Sequence, residues 1–89
     1  MVKRINVTVT DPVGLYATPA TELVDRVKAF NSDIKLVYAS KTVNMKSLMG
    51  VLSLGIPTKA KIEVIAEGED EDAAIDKVTE LMKDLGISK

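Results

Sequence analysis

The chain contains no histidine and no cysteine, and its aromatic residues are two tyrosines and one phenylalanine. The lack of cysteine excludes disulfides, thiolate chemistry and cysteine-ligated zinc. The lack of histidine removes the commonest general base near neutral pH. So few aromatic residues cannot form a stacking platform for single strands, and a net charge of −1 gives no general attraction to polyanions. We therefore expect no direct nucleic-acid partner.

Long apolar runs are also missing. No run approaches the roughly 18 residues of a membrane-spanning helix, and residues 1–6 lack the apolar core of a signal peptide. The sequence therefore predicts a cytoplasmic protein with no membrane partner. With 89 residues, of which 46% are hydrophobic and 28% charged, we expect a single domain spanning residues 1–89, without room for a deep cleft beside its core.

Hydrophobic periodicity predicts four strands and three helices in the order β-α-β-β-α-β-α. Strands are expected over residues 2–10, 34–39, 42–45 and 60–67, with a tight turn at Ser40-Lys41. The first helix is expected to begin with Thr18 as N-cap and Pro19 in its first turn, and to carry an apolar face as far as Phe30. Each predicted strand has one apolar and one polar face, and the apolar faces must be buried against the helices. The chain should therefore fold as an α+β protein, in which helices cover one face of an antiparallel or mixed sheet.

Residues 43–55 change from strand to helical periodicity at Ser47, which is therefore a predicted N-cap. The short helix that follows is rich in Leu and Met, and we expect it to leave part of that apolar surface exposed. Two interpretations stay open. Ser47 is either the capping serine of a core helix or a regulated serine beside an apolar docking patch.

Candidate metal and catalytic groups are sparse. The four carboxylates of residues 68–72 match no calcium-binding loop and precede the last helix, where negative charge is favourable. No spacing of serine, lysine and carboxylate suggests a catalytic constellation. We expect no bound metal, no cofactor and no enzymatic activity.

Two segments resemble the HPr family, the histidine-containing phosphocarriers of the bacterial sugar phosphotransferase system. Residues 14–21 (GLYATPAT) are similar to the family's active-site segment, Gly-Ile/Leu-His-Ala-Arg-Pro-Ala, and residues 43–55 (VNMKSLMGVLSLG) to its regulatory segment. Residues 30–34 and 66–68 fit as well, so the resemblance covers essentially the whole chain. It implies an open-faced β-sandwich, in which three helices cover one face of a four-stranded antiparallel sheet.

The departures from the family pattern fall at its phosphoryl-transfer site. Tyr16 stands where the family has its phosphorylated histidine, and Thr18 stands where it has the arginine that steadies the phosphate. A phenol is a poor nucleophile at pH 7, and its phosphate ester is lower in energy than a phosphohistidine. A threonine cannot offer the bidentate donors of arginine. We therefore predict that this chain has no catalytic residue and does not relay phosphoryl groups.

The resemblance implies a different role for Ser47. In Gram-positive-type members the matching serine is phosphorylated by an ATP-dependent HPr kinase/phosphorylase, and the product binds a catabolite-control transcription factor. A relative called Crh has lost the histidine, kept this serine and acts only in regulation. The resemblance thus implies a regulatory phosphoprotein of carbon catabolite repression, modified at Ser47. Its implied partner-binding residues are Tyr16, Thr18, Lys46, Leu48, Met49 and Leu52.

Other interpretations stay open beside the regulatory one. The chain is alternatively a phosphocarrier of sugar transport, natural or engineered, altered at Tyr16 and Thr18, with Enzyme I and EIIA components as its partners. A constitutive docking module that uses its apolar patch without phosphate is a third alternative. All three functions stay open at this point. A monomer and the strand-swapped dimer known in the family are both compatible with the sequence.

Overall fold

A computed structural model describes residues 2–88 of the chain. Four strands and three helices follow one another in the predicted order β-α-β-β-α-β-α. They are β1 (Val2–Thr8), α1 (Ala17–Val27), β2 (Asp33–Tyr38), β3 (Lys41–Asn44), α2 (Leu48–Ser53), β4 (Lys61–Glu67) and α3 (Glu71–Asp84).

The strands form one sheet in the order β1-β4-β2-β3, and every neighbouring pair is antiparallel. Strand β4 lies in the centre, where Val64 pairs with Ile5 of β1 and with Leu36 of β2. Strands β1 and β2 therefore run parallel to each other on either side of β4. The expectation of a four-stranded antiparallel sheet is confirmed, and the alternative of a mixed sheet is wrong.

The core lies between one face of the sheet and the helices. In β4, Ile62, Val64 and Ala66 are buried, whereas the alternate residues of the strand face outward and are exposed or half-buried. Full burial of a side chain of the Val, Leu or Ile kind contributes about 1.5–3 kcal/mol, so this alternation determines which face the helices cover. The helices supply the other half of the core with Leu23, Val24, Val27, Val51, Ala74, Val78, Leu81 and Met82.

The first helix begins earlier than its sequence suggests. Tyr16, not Thr18, is the N-cap residue: its backbone is extended, and its carbonyl accepts the Ala20 N–H at 3.0 Å. Pro19 is consequently the third helical residue. The missing N–H of a proline costs nothing there, because the first N–H groups of a helix have no intrahelical acceptor. Thr18 as N-cap was wrong, since the buried Leu15 anchors the chain and starts the turn two residues sooner.

Several element ends also differ from the predicted ones. Helix α1 stops at Val27, and Phe30 is half-buried in the loop beyond it. Strand β1 stops at Thr8, because Thr10 leaves the sheet and donates its N–H to the Ile87 carbonyl at 2.8 Å. Such ends depend on tertiary hydrogen bonds, which hydrophobic periodicity does not register.

The connection between β2 and β3 is one residue earlier than expected. Ala39 and Ser40 form the two-residue loop, with φ of 51° and 68°, and Tyr38 pairs with Lys41. Two positive φ values are typical of the type I′ turn, whose twist matches that of a hairpin. The right-handed twist of the sheet thus selects this turn although neither residue is glycine or asparagine.

Among residues 2–88, no helix combines the length and the apolar character needed to cross a membrane. Over the same residues, no three acidic side chains converge in a way that would hold a metal ion.

Candidate functional site

Ser47 is the N-cap of α2, as predicted. Its backbone is extended, with φ −107° and ψ 112°, and its Oγ accepts the Gly50 N–H at 3.2 Å. Its carbonyl accepts the Val51 N–H at 3.0 Å and closes the first turn. The N–H groups of Leu48 and Met49 also lie in this first turn. They have no acceptor within the helix, because the residues four positions earlier precede it. The Ser47 hydroxyl therefore stands among donors that favour an anion.

Beside Ser47 lies a small apolar surface, which we call the α2 patch: Leu48, Met49 and Leu52. Leu48 and Leu52 are half-buried against the core, and Met49 is 80% exposed. By contrast, Val51 is buried, because it lies about 200° around the helix from Met49. A helix of six residues has only one buried face, so the expected exposure of part of its apolar surface is confirmed.

Lys46 is already engaged. Its Nζ donates to the Phe30 carbonyl at 2.6 Å, and its backbone N–H donates to Asn44 Oδ1 at 2.9 Å. The ammonium group therefore holds the loop that follows α1. A role for Lys46 in neutralising a phosphate on Ser47 stays a prediction, and the bond to Phe30 uses one of the three donors of the ammonium.

Tyr16 is presented by a tightly packed loop. Gly14 has φ +92°, and a Cβ there would lie only 2.5 Å from the Ile56 carbonyl oxygen. The next residue, Leu15, is buried and donates its N–H to the same carbonyl at 3.0 Å. Tyr16 itself is 41% exposed. The loop thus fixes its backbone and leaves part of the phenol at the surface.

Thr18 lies in the first turn of α1, where it is exposed. The structure therefore brings Tyr16 and Thr18 to the same end of this helix. A hydrogen bond from Leu15 to Ile56, only three residues beyond α2, also joins this loop to the segment that carries Ser47. Sequence patterns did not predict this hydrogen bond. The one hint in the sequence was Gly14, because glycine tolerates an unusual φ.

Asp70 has a role that the sequence did not reveal. Its carboxylate accepts the N–H groups of Asn31 at 2.9 Å and of Ser32 at 2.8 Å, and it also accepts the Ser32 hydroxyl. The Ser32 hydroxyl and the Asn31 N–H stabilise the charged form and hold the pKa of Asp70 below its ordinary value. We interpreted the acidic run 68–72 as a helix lead-in, but this carboxylate also joins two loops.

The family model for the PTS HPr component phosphorylation site matches residues 3–84. The chain is similar to the histidine-containing phosphocarrier protein of Mycoplasma, with 33% identity and a TM-score of 0.96 over 98% of this chain and 99% of that one. It is similar to phosphocarrier protein HPr of Bacillus anthracis, with 35% identity and a TM-score of 0.84 over 90% and 95%.

A third similar structure is Crh, the catabolite repression protein of Bacillus subtilis. It is 36% identical, with a TM-score of 0.74 over 93% of this chain and 94% of that one. The Crh structure is described as a dimer formed by a swapped domain. The similar structures thus include phosphocarriers and a catabolite repression protein with the same fold.

Proposed function

Because this chain belongs to the HPr family, we propose that it is a regulatory member, which receives a phosphoryl group on Ser47 and does not relay one. The observation that carries the proposal is that the whole sequence contains no histidine. Relay in this family needs a phosphohistidine, whose high-energy N–P bond can be passed onward. A phenol at position 16 forms only a low-energy ester and cannot return its phosphoryl group at a useful equilibrium.

The environment of Ser47 supports it as the acceptor. Ser47 is half-buried at the start of α2, and its Oγ accepts the Gly50 N–H at 3.2 Å. A phosphate would add about −1.5 to −2 charge beside the donors of the first turn, so it should stabilise the short helix. The signal is then electrostatic rather than a change of fold.

The α2 patch is a surface on which a partner could recognise phosphorylated Ser47. Met49 projects into solvent one residue beyond Leu48, and both lie within two positions of Ser47. A partner with an apolar contact and a basic group would engage the patch and the phosphate together. An HPr kinase/phosphorylase is the proposed modifying partner. A catabolite-control transcription factor is the proposed reader.

The decisive experiment is incubation of the protein with an HPr kinase and ATP, followed by phosphosite mapping. We expect one phosphoryl group, on Ser47, and none on the Ser47→Ala variant. The matched control is Ser53→Ala, because Ser53 is an exposed serine at the other end of α2. The proposal fails if Ser47 stays unlabelled, or if Ser47→Ala takes up as much label as the unaltered protein.

A second candidate is a relay protein altered at its acceptor, and the loop geometry favours it. The close packing of Gly14 on Ile56 and the partly exposed Tyr16 preserve a scaffold that presents a side chain at the start of α1. If this candidate is right, Tyr16→His together with Thr18→Arg gains phosphoenolpyruvate-dependent labelling by Enzyme I. A folded double variant that stays unlabelled removes its support.

Titration of a partner separates docking without phosphate from the regulatory function. A partner that reads the phosphate should bind Ser47→Asp more tightly than the unaltered protein, because the carboxylate supplies part of the missing charge. A partner that needs only the α2 patch should bind both proteins equally. In either case, Met49→Ala should weaken binding.

A further inference from the structure

The methionines of the described chain differ sharply in their access to solvent. Met45 and Met82 are completely buried, whereas Met49 is 80% exposed on the first turn of α2. A thioether reacts with oxidants according to its exposure. A buried thioether reacts only when the fold opens, and opening is rare in a core. Within residues 2–88, the structure therefore concentrates this reactivity on Met49 of the α2 patch.

We propose that Met49 is a site of reversible sulfoxidation, through which an oxidant of the peroxide class makes the α2 patch polar and weakens docking there. The oxidation itself follows from exposure alone. Its effect on a partner rests on the proposed function, because that function assigns docking to the α2 patch.

The reaction is a two-electron oxygen transfer. The Met49 Sδ lone pair attacks one oxygen of hydrogen peroxide, the O–O bond breaks and an S–O bond forms. Proton transfer to the leaving hydroxide releases water. The thioether is oxidised to the sulfoxide, and the peroxide is reduced. Methionine sulfoxide reductases reverse this modification, so it has the properties of a switch.

The position of Met49 determines what the oxidation changes. Its side chain contributes little to the core, because most of its surface is in water already. Leu48 and Leu52, which are half-buried, keep α2 seated on the protein. The sulfoxide should therefore leave the fold intact while it replaces the most exposed apolar group of the α2 patch with a polar, chiral one.

The first test maps the modification on the full chain. The protein is treated with dilute hydrogen peroxide, quenched at intervals and mapped by peptide mass spectrometry. We expect Met49 to gain one oxygen at least about tenfold faster than Met45 and Met82. In denaturant the three residues should react at similar rates. Equal rates in the native protein would overturn the proposal.

The second test asks what the sulfoxide does to the patch, without any partner. Retention on a hydrophobic-interaction column should fall after oxidation and return after treatment with methionine sulfoxide reductase. Met49→Leu keeps an apolar side chain without sulfur, so its retention should not respond to peroxide. The midpoint of urea unfolding should stay unchanged throughout. A Met49 sulfoxide with unaltered retention would overturn the proposal.

The third test uses the HPr kinase of the preceding section as the docking probe. We expect the sulfoxide form to be phosphorylated on Ser47 severalfold more slowly than the reduced form, and Met49→Leu to be insensitive to peroxide. Equal rates for the two forms would overturn the effect on docking. If the reduced protein is not phosphorylated at all, the proposed function fails with the docking effect, while the oxidation map and the column still decide the modification.

Discussion

The carboxylate of Asp70 holds the backbone and the hydroxyl of Ser32, which lies 38 residues earlier in the chain. One oxygen accepts both groups of Ser32, and the other accepts the Asn31 N–H at 2.9 Å. Gly68 lies so close that a Cβ there would be 2.7 Å from Ser32. Asp70 therefore ties the loop after α1 to the turn before α3.

This tie predicts a dependence of stability on pH. The folded state lowers the pKa of Asp70, mainly through the Ser32 hydroxyl and then through the Asn31 N–H. The ionised Asp70 therefore stabilises the fold fully above the pKa of an unfolded aspartate, about 3.9. This stabilisation is lost as the pH falls through the lower pKa of Asp70 in the folded state. We expect the free energy of unfolding, measured with urea, to fall below about pH 4 by less in Asp70→Asn than in the unaltered protein.

The control for this prediction is Asp76→Asn, since Asp76 is an exposed carboxylate on the same helix α3. That variant should keep the pH dependence of the unaltered protein. A profile for Asp70→Asn that runs parallel to the unaltered one would show that Asp70 does not supply the effect.

Replacement of Ser47 by alanine tests the helix cap apart from any phosphate. It removes the acceptor of the Gly50 N–H, and loss of an N-cap costs about 0.5–2 kcal/mol. Ser47→Asp restores an acceptor and should regain most of the loss. The measurement is the midpoint of urea unfolding at pH 7. If Ser47→Ala is as stable as the unaltered protein, the cap does not stabilise α2.

Gly14→Ala should destabilise the protein more than Gly55→Ala. Both glycines have a positive φ, so each alanine suffers backbone strain of about 1 kcal/mol or more. Only at Gly14 would the added Cβ also meet backbone, 2.5 Å from the Ile56 carbonyl oxygen, whereas at Gly55 nothing lies within 4 Å. The difference between the losses of unfolding free energy in Gly14→Ala and Gly55→Ala therefore measures the cost of the contact between the new Cβ and Ile56. Equal losses would argue against it.

Lys46→Met should destabilise the loop after α1. The variant keeps most of the aliphatic stem but removes the 2.6 Å hydrogen bond to the Phe30 carbonyl, and a hydrogen bond from a charged donor contributes about 1.5–3 kcal/mol when well shielded. Because Lys46 is only half-buried, we expect about 1 kcal/mol. Urea unfolding measures the loss, and amide exchange should show faster opening near Phe30. Lys41→Met, on an exposed lysine of β3, is the control and should change neither quantity.

Much of the architecture was predictable because burial has a period. Ile62, Val64 and Ala66 alternate with polar neighbours, and that alternation indicated both the strand and its buried face. Ser47 was predictable as a cap, because the change of period at that residue is a local property of the chain. The resemblance to HPr added the antiparallel arrangement, and the sheet confirmed it.

Tertiary structure decided the features that depend on partners distant in sequence. The true start of α1 at Ala17 depends on the seating of Leu15 against Ile56, and the hold of Asp70 on Ser32 joins residues that no periodicity connects. The engagement of Lys46 by Phe30 is of the same kind. The sequence by itself determined the order of the elements, their buried faces and the lack of an imidazole. Only folding determined which polar groups meet, because a hydrogen bond depends on distance in space and a pattern records only distance along the chain.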